Sequence, residues 1–218
     1  ILRYHPVVNK LKELIDEGEL GKIQYIYSNR LNIGRIRNEE NILWSFAPHD
    51  ISAILFLLKE LPEVIFSTGG SYLQQKISDV TLTSMEFASG VKAHIFVSWL
   101  HPFKEQKLVI VGSEKMAVFD DISKEKLFLY PHKIEWVERL PVAHKAQAEL
   151  VPFLMEEPLK LECQHFLDCI QNDRTPRSDG RDGMRVVRVL SAAQQSLEKN
   201  GVPVVVADCS HFGFRILD

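Results

Sequence analysis

His49 and Asp50 stand side by side in "NILWSFAPHDIS" (41–52), with Trp44 in the approach and the apolar run Ile51, Ala53, Ile54, Leu55, Leu57, Leu58 after them. Proline is favoured at a helix start, so the sequence predicts a helix from Pro48 to near Lys59, with the imidazole in its first turn. There the positive end of the helix dipole disfavours the imidazolium. A neutral imidazole near pH 7 can accept a proton, as a general base must. Asp50 suits the same positive end and could cap the first turn. An imidazole in that place can also do no more than hydrogen-bond a nearby loop, and the residues alone leave both roles open.

Upstream, "SNRLNIGRIRN" holds Arg30, Arg35 and Arg37 near Asn29 and Asn32. The planar fork of arginine makes paired bonds to carboxylate or phosphate. Three of them on a strand and the loop after it could grip an anionic substrate, or each could be a solvated surface residue. "SWLHPFKEQ" puts His101 and Lys104 just after a strand, where loops often carry function. Trp99, on the apolar face of that strand, reads as core.

Other chemistry is missing from the pattern. There is no G-x-G-x-x-G after a strand, no P-loop, no H-E-x-x-H and no G-x-S-x-G. The remaining histidines are scattered without metal-ligand spacing, so no metal is expected. The three cysteines, Cys163, Cys169 and Cys209, form no C-x-x-C pair, which argues against a disulfide framework and for a reducing cytoplasm. A net charge of -3 with scattered basic residues argues against nucleic acid as a partner. No apolar run approaches a membrane span, so no membrane partner is expected. The start, "ILRYHP", reads like the second half of an apolar strand, which suggests a chain cut from something longer.

The elements that must hold these residues follow from periodicity. Val8, Leu11, Leu14 and Ile15 recur at helical spacing, with Gly18 and Gly21 as stop signals. "KIQYIYSNRLNI" (22–33) reads as a strand and 34–43 as a polar loop. Six β-like runs then follow, from "EVIFSTGGSYL" to "KLFLYP", with short links that favour antiparallel pairing. "AELVPF" (148–153) reads as one more β-like run beside them. Helices return with the stripes Leu159, Cys163, Phe166, Leu167, Ile170 and Val186, Leu190, Ala193, Leu197, the second with Asp179 or Asp182 as N-cap and Gly201 as stop. The expected fold class is α+β: an open, multistranded, mostly antiparallel sheet with flanking helices.

"LRYHPVVNKLKELIDEGELGKIQYIYSNR", "LWSFAPHDISAILFLL", "DVTLTSMEFASGVKAHIFVSWLHPFKEQKLVIVGSEKMAVFDD" and "DGRDGMRVVRVLSAAQQSL" together resemble the C-terminal domain of the Gfo/Idh/MocA oxidoreductases. The resemblance implies a substrate-binding and oligomerisation domain over residues 1–201, with 1–21 as the linking segment and helix, and a tail over 202–218. It implies a Rossmann domain elsewhere in the same polypeptide that binds NAD or NADP, and a homo-oligomer formed through the sheet. It places His49 as the proton acceptor or donor at a sugar hydroxyl, with Asn29, Arg30, Arg35, Arg37, Trp44, Asp50, His101 and Lys104 as candidate substrate contacts. Many members carry an acidic residue four positions before the histidine; Ser45 stands there in this chain, which leaves the partner of His49 open. Within the family the chain looks most like the branch oxidising C3 of UDP-N-acetylglucosamine or its uronic acid. The same fold without chemistry, as a sugar-binding or assembly module, is the alternative.

Overall fold

The computed structural model describes residues 1–206. A 3-10 turn, Leu2–Tyr4, leads into α1, Pro6–Asp16, whose N-terminus is capped by the His5 ring accepting the Val7 amide. Gly18 and Gly21, both at positive φ, end that segment where the sequence marks a stop. Next come β1, Ile23–Leu31, and α2, Ile42–Leu58. Six strands follow: β2, Pro62–Gly70; β3, Val80–Phe87; β4, Lys92–Ser98; β5, Glu105–Gly112; β6, Met116–Asp120; and β7, Leu127–Tyr130. The hairpin of β8, Lys133–Val137, and β9, Leu140–His144, precedes β10, Glu149–Leu150. The chain continues through α3, Pro158–Gln171, and α4, Gly180–Glu198, to β11, Val204–Val205.

Nine strands form one sheet in the order β10-β7-β6-β5-β1-β4-β3-β2-β11. All pairings in it are antiparallel except β1 with β4, which run parallel. The α+β class and the mostly antiparallel open sheet agree with the expectation. The central place of β1 does not follow from chain order, because its neighbours are far away in sequence. Ile26 sits beside Ala93 on β4 and Ile110 on β5, and all three are buried. Joining the two halves of the sheet thus buries one face of β1 from both sides.

Helix α2 is apolar nearly all round, the pattern of a helix enclosed by protein. Ile42, Leu43, Ala47, Ile51, Ile54 and Leu57 are buried, and the helix packs on the sheet, α4, α1 and the Leu2–Tyr4 turn. Each large side chain of that set contributes about 1.5–3 kcal/mol by leaving water. Among the described residues no helix covers the opposite sheet face, which carries half-exposed Tyr25, Tyr27, His94 and Phe96.

One expectation is corrected and the others gain detail. α2 begins at Ile42, capped by the Asn41 side chain accepting the Trp44 amide, so Pro48 lies inside the helix. A side-chain cap two turns upstream outweighs the start signal of Pro48, which loses only one intrahelical donor there. The α3 stripe is not core: Leu159, Phe166, Leu167 and Ile170 are all more than half exposed, and only Cys169 on that helix is buried. "AELVPF" contributes only Glu149–Leu150 to the sheet. Val204–Val205, inside the expected tail, pairs with β2 as the edge strand, while 207–218, with Cys209, lies outside the described residues. Among the described residues no helix is long and apolar enough to cross a membrane.

Candidate active site

Arg30, on β1, and Asp50, on α2, meet under the helix. The Arg30 Nε donates to Asp50 Oδ2 at 2.7 Å and its terminal nitrogen to Oδ1 at 3.2 Å. The Ser28 hydroxyl donates to Asp50 Oδ1 at 2.7 Å. Both charged side chains are largely shielded, 14% and 6% exposed. A buried carboxylate is costly unless paired and hydrogen-bonded, and here a planar fork and a hydroxyl saturate it. Asp50 therefore does not cap the helix, as expected from sequence; it anchors α2 to β1.

His49 points elsewhere. Successive helical residues are turned by roughly 100°, so with Asp50 aimed at the sheet, His49 faces a cleft of about 300 Å³. Arg30, Arg35, Arg37, Ser45, Phe46 and Gln106 line the same cleft. Ser45 and Phe46, four and three residues before His49, share its helix face. Among the described residues the His49 ring has no hydrogen-bond or ion-pair partner.

His49 is exposed to solvent on the cleft side but crowded by protein on the other. This partial desolvation lowers its pKa below the ordinary 6.5, and the Arg30 charge lowers it further, while Asp50 opposes both. The direction favours the neutral imidazole, and its cause is not the helix dipole invoked from the sequence. His49 lies in the third turn of α2, beyond the reach of the terminal dipole, which falls off within the first turn.

Five candidate contacts are not brought to the cleft: Asp50, held by Arg30 and Ser28 against the sheet, and four others. Asn29 donates to Glu105 Oε1 at 2.7 Å, on the uncovered sheet face. The Trp44 indole donates to Gln194 Oε1 at 3.1 Å and so locks α2 to α4. His101 bonds the Phe103 carbonyl at 2.8 Å and packs edge-on against that ring. Lys104 lines a separate hollow with Glu105, Lys107 and Asp120. Alternation explains Asn29: it neighbours Arg30 on a strand, so the two side chains leave opposite faces.

Gln106 and Phe46 were not legible as cleft residues. Gln106 arrives there because β5 places it opposite Arg30, a pairing between distant segments that no local signal encodes. Phe46 could have been found from its spacing to His49, had the helix start been placed at Ile42.

Among the described residues no cluster of three or more His, Cys, Asp or Glu side chains could hold a metal ion. None builds a glycine-rich strand–turn–helix either: β1 leads through a polar loop to an Asn41 cap.

Residues 8–118 match the GFO/IDH/MocA C-terminal domain. The chain belongs to that family. The Gfo/Idh/MocA chain is 25% identical over 215 residues to scyllo-inositol 2-dehydrogenase (NAD(+)) of Bacillus subtilis (strain 168), covering 93% of its own length and 60% of the relative's. In fold it is similar to UDP-N-acetylglucosamine 3-dehydrogenase from Acidithiobacillus ferrooxidans, with TM-score 0.74, 19% identity, and 90% of this chain on 59% of that one. It is also similar to an NAD-binding protein from Listeria innocua, with TM-score 0.76, 15% identity, and 94% of this chain on 65% of that one. The chain thus spans less than two thirds of each of these relatives.

Proposed function

We propose that this domain binds the alcohol substrate of an NAD(P)-dependent oxidoreductase in the His49 cleft, and that His49 takes the proton of the reacting hydroxyl. The observation that carries the reading is the convergence of an imidazole of lowered pKa and three arginines on one cleft, in a chain of this family. A bound nicotinamide, held by a Rossmann domain elsewhere in the same polypeptide, supplies the hydride acceptor. The residues here do the rest: they bind, orient and deprotonate.

Removing the hydroxyl proton needs a base within hydrogen-bond reach whose neutral form prevails at working pH. His49 meets the second condition through desolvation and the Arg30 charge. Arg30 is committed to Asp50 and Arg37 pairs with Glu40 at 3.1 Å, whereas Arg35 has no acidic partner among the described residues. This disposition suits a polyhydroxylated substrate with an anionic end. A UDP-linked N-acetyl sugar oxidised at C3 meets that requirement, and a cyclitol lacking an anion would leave Arg35 without a task. The uncovered sheet face, with Tyr25, Tyr27 and Phe96 half exposed, supports association with a second copy.

The test is His49→Gln in the complete polypeptide. With UDP-N-acetylglucosamine and NAD, kcat should fall about 10²–10⁴-fold, the range of general-base catalysis, while KM stays within a few-fold. An unchanged kcat would remove His49 from the chemistry. Loss of all turnover in the wild type with binding retained would favour a sugar-binding module of the same fold.

A further inference from the structure

The turn over residues 71–78, between β2 and β3, takes no part in the cleft lining, yet it is built onto the elements that do. Its root is Asp79, fully buried. Asp79 Oδ2 accepts the Tyr72 amide at 2.6 Å and the Leu73 amide at 2.8 Å. Those amides are the carboxylate's hydrogen-bond donors among the described residues, and Oδ1 has none. A carboxylate kept wholly out of water at such cost has its grip concentrated on one turn. The ring of Tyr72 lies over Gly70, where an added Cβ would sit 2.5 Å from it, so the turn folds down closely on the end of β2.

From that root the turn makes two outward bonds. The Gln74 side-chain amide donates to the Arg37 carbonyl at 2.8 Å. The Ser78 carbonyl accepts the Ile42 amide at 2.9 Å, which fixes the first residue of α2. One bond holds the loop that carries Arg35 and Arg37; the other holds the helix that carries His49. The two walls of the cleft are thus referred to one buried carboxylate.

We infer that Asp79 and Gln74 are positioning residues: acting through the 71–78 turn, they set the arginine-bearing loop and thereby the grip on the anionic end of the substrate. The inference rests on the proposed function for its substrate but not for its mechanics. Neither residue touches the reacting atoms.

The test uses the complete polypeptide with Gln74→Glu, which keeps the shape and removes the donor, at a side chain whose bond lies near the surface. Asp79→Ala removes both acceptors; Asp79→Asn restores one and serves as the rescue. Backbone NMR order parameters over residues 34–40 should fall in Gln74→Glu, because the loop loses its bond to the Arg37 carbonyl. KM for UDP-N-acetylglucosamine should rise about tenfold, the effect of losing one hydrogen bond, with kcat within twofold, and KM for neutral N-acetylglucosamine should not move. Asp79→Ala should show the same pattern more strongly and Asp79→Asn more weakly. Unchanged order parameters at 34–40, or an equal rise in KM for both substrates, would overturn the inference. If the wild type turns over neither substrate, the proposed function fails, and the order parameters with calorimetric binding of UDP decide this inference by themselves.

Discussion

Asp50→Asn removes one charge from the Arg30–Asp50 pair and almost nothing from the shape of the site. At 2.7 Å and an effective dielectric of about 20, the attraction lost is about 6 kcal/mol. Burying each ion has already cost several kcal/mol of hydration, so the intact pair is worth little net. The variant, however, leaves the Arg30 guanidinium buried without its counter-charge, and breaking such a pair typically costs about 3–5 kcal/mol. That is a large part of the roughly 5–15 kcal/mol that holds a domain folded. Urea unfolding followed by tryptophan fluorescence should show this loss for Asp50→Asn. Arg30→Met combined with Asp50→Leu, which removes both charges, should lose less than Asp50→Asn alone. The same substitution should lower the His49 pKa further, readable by NMR titration, because Asp50 raises it and Arg30 lowers it. A loss under about 1 kcal/mol, or a double variant as unstable as the two singles added together, would refute this account of the pair.

Burial alone would raise the pKa of Asp121, but hydrogen bonds from His5 and Lys126 bring it down from 3.8 to about 2. Its stabilisation is therefore complete well above pH 4 and lost as pH falls through about 2; Asp121→Asn should cost about 2 kcal/mol at pH 7 and progressively less below pH 4, checked by unfolding across that range. Turnover should fall on the acid side below pH 6.5 as His49 takes up a proton, and this limb should vanish from the residual activity of His49→Gln in a pH profile. Gly112→Ala would put a Cβ 2.0 Å from the Leu20 carbonyl oxygen, a backbone atom that cannot swing away; a loss of roughly 1–3 kcal/mol in thermal unfolding is expected.

Much of this protein is legible in local pattern. Alternation gave the strands, because a half-buried strand repeats every second residue. The helical stripe of α4, with Asp179 capping the Asp182 amide at 2.9 Å, lies where its periodicity and caps place it. His49 stood out by type and setting, and so did the arginines that share its cleft. Periodicity names an apolar face, however, and not what covers it: the stripe of α3 reads like that of α4, yet α3 packs mainly on the Leu2–Tyr4 turn and leaves its stripe in solvent.

The amino-acid sequence by itself determined the fold class and singled out the imidazole at the centre of the proposed chemistry, because both are carried by residue type and short-range spacing; the family entered through the resemblance of long ordered stretches. Tertiary structure alone decided which candidates share a cavity, sending Asn29, Trp44, Asp50, His101 and Lys104 away and bringing Gln106 in. It also decided why the His49 pKa is lowered and what Asp50 is for. Strand β1 pairs with β4 and β5 far along the chain, and only that pairing places Arg30 beneath α2, opposite Asp50 and beside His49. Electrostatics depends on distance through space, which local pattern does not record.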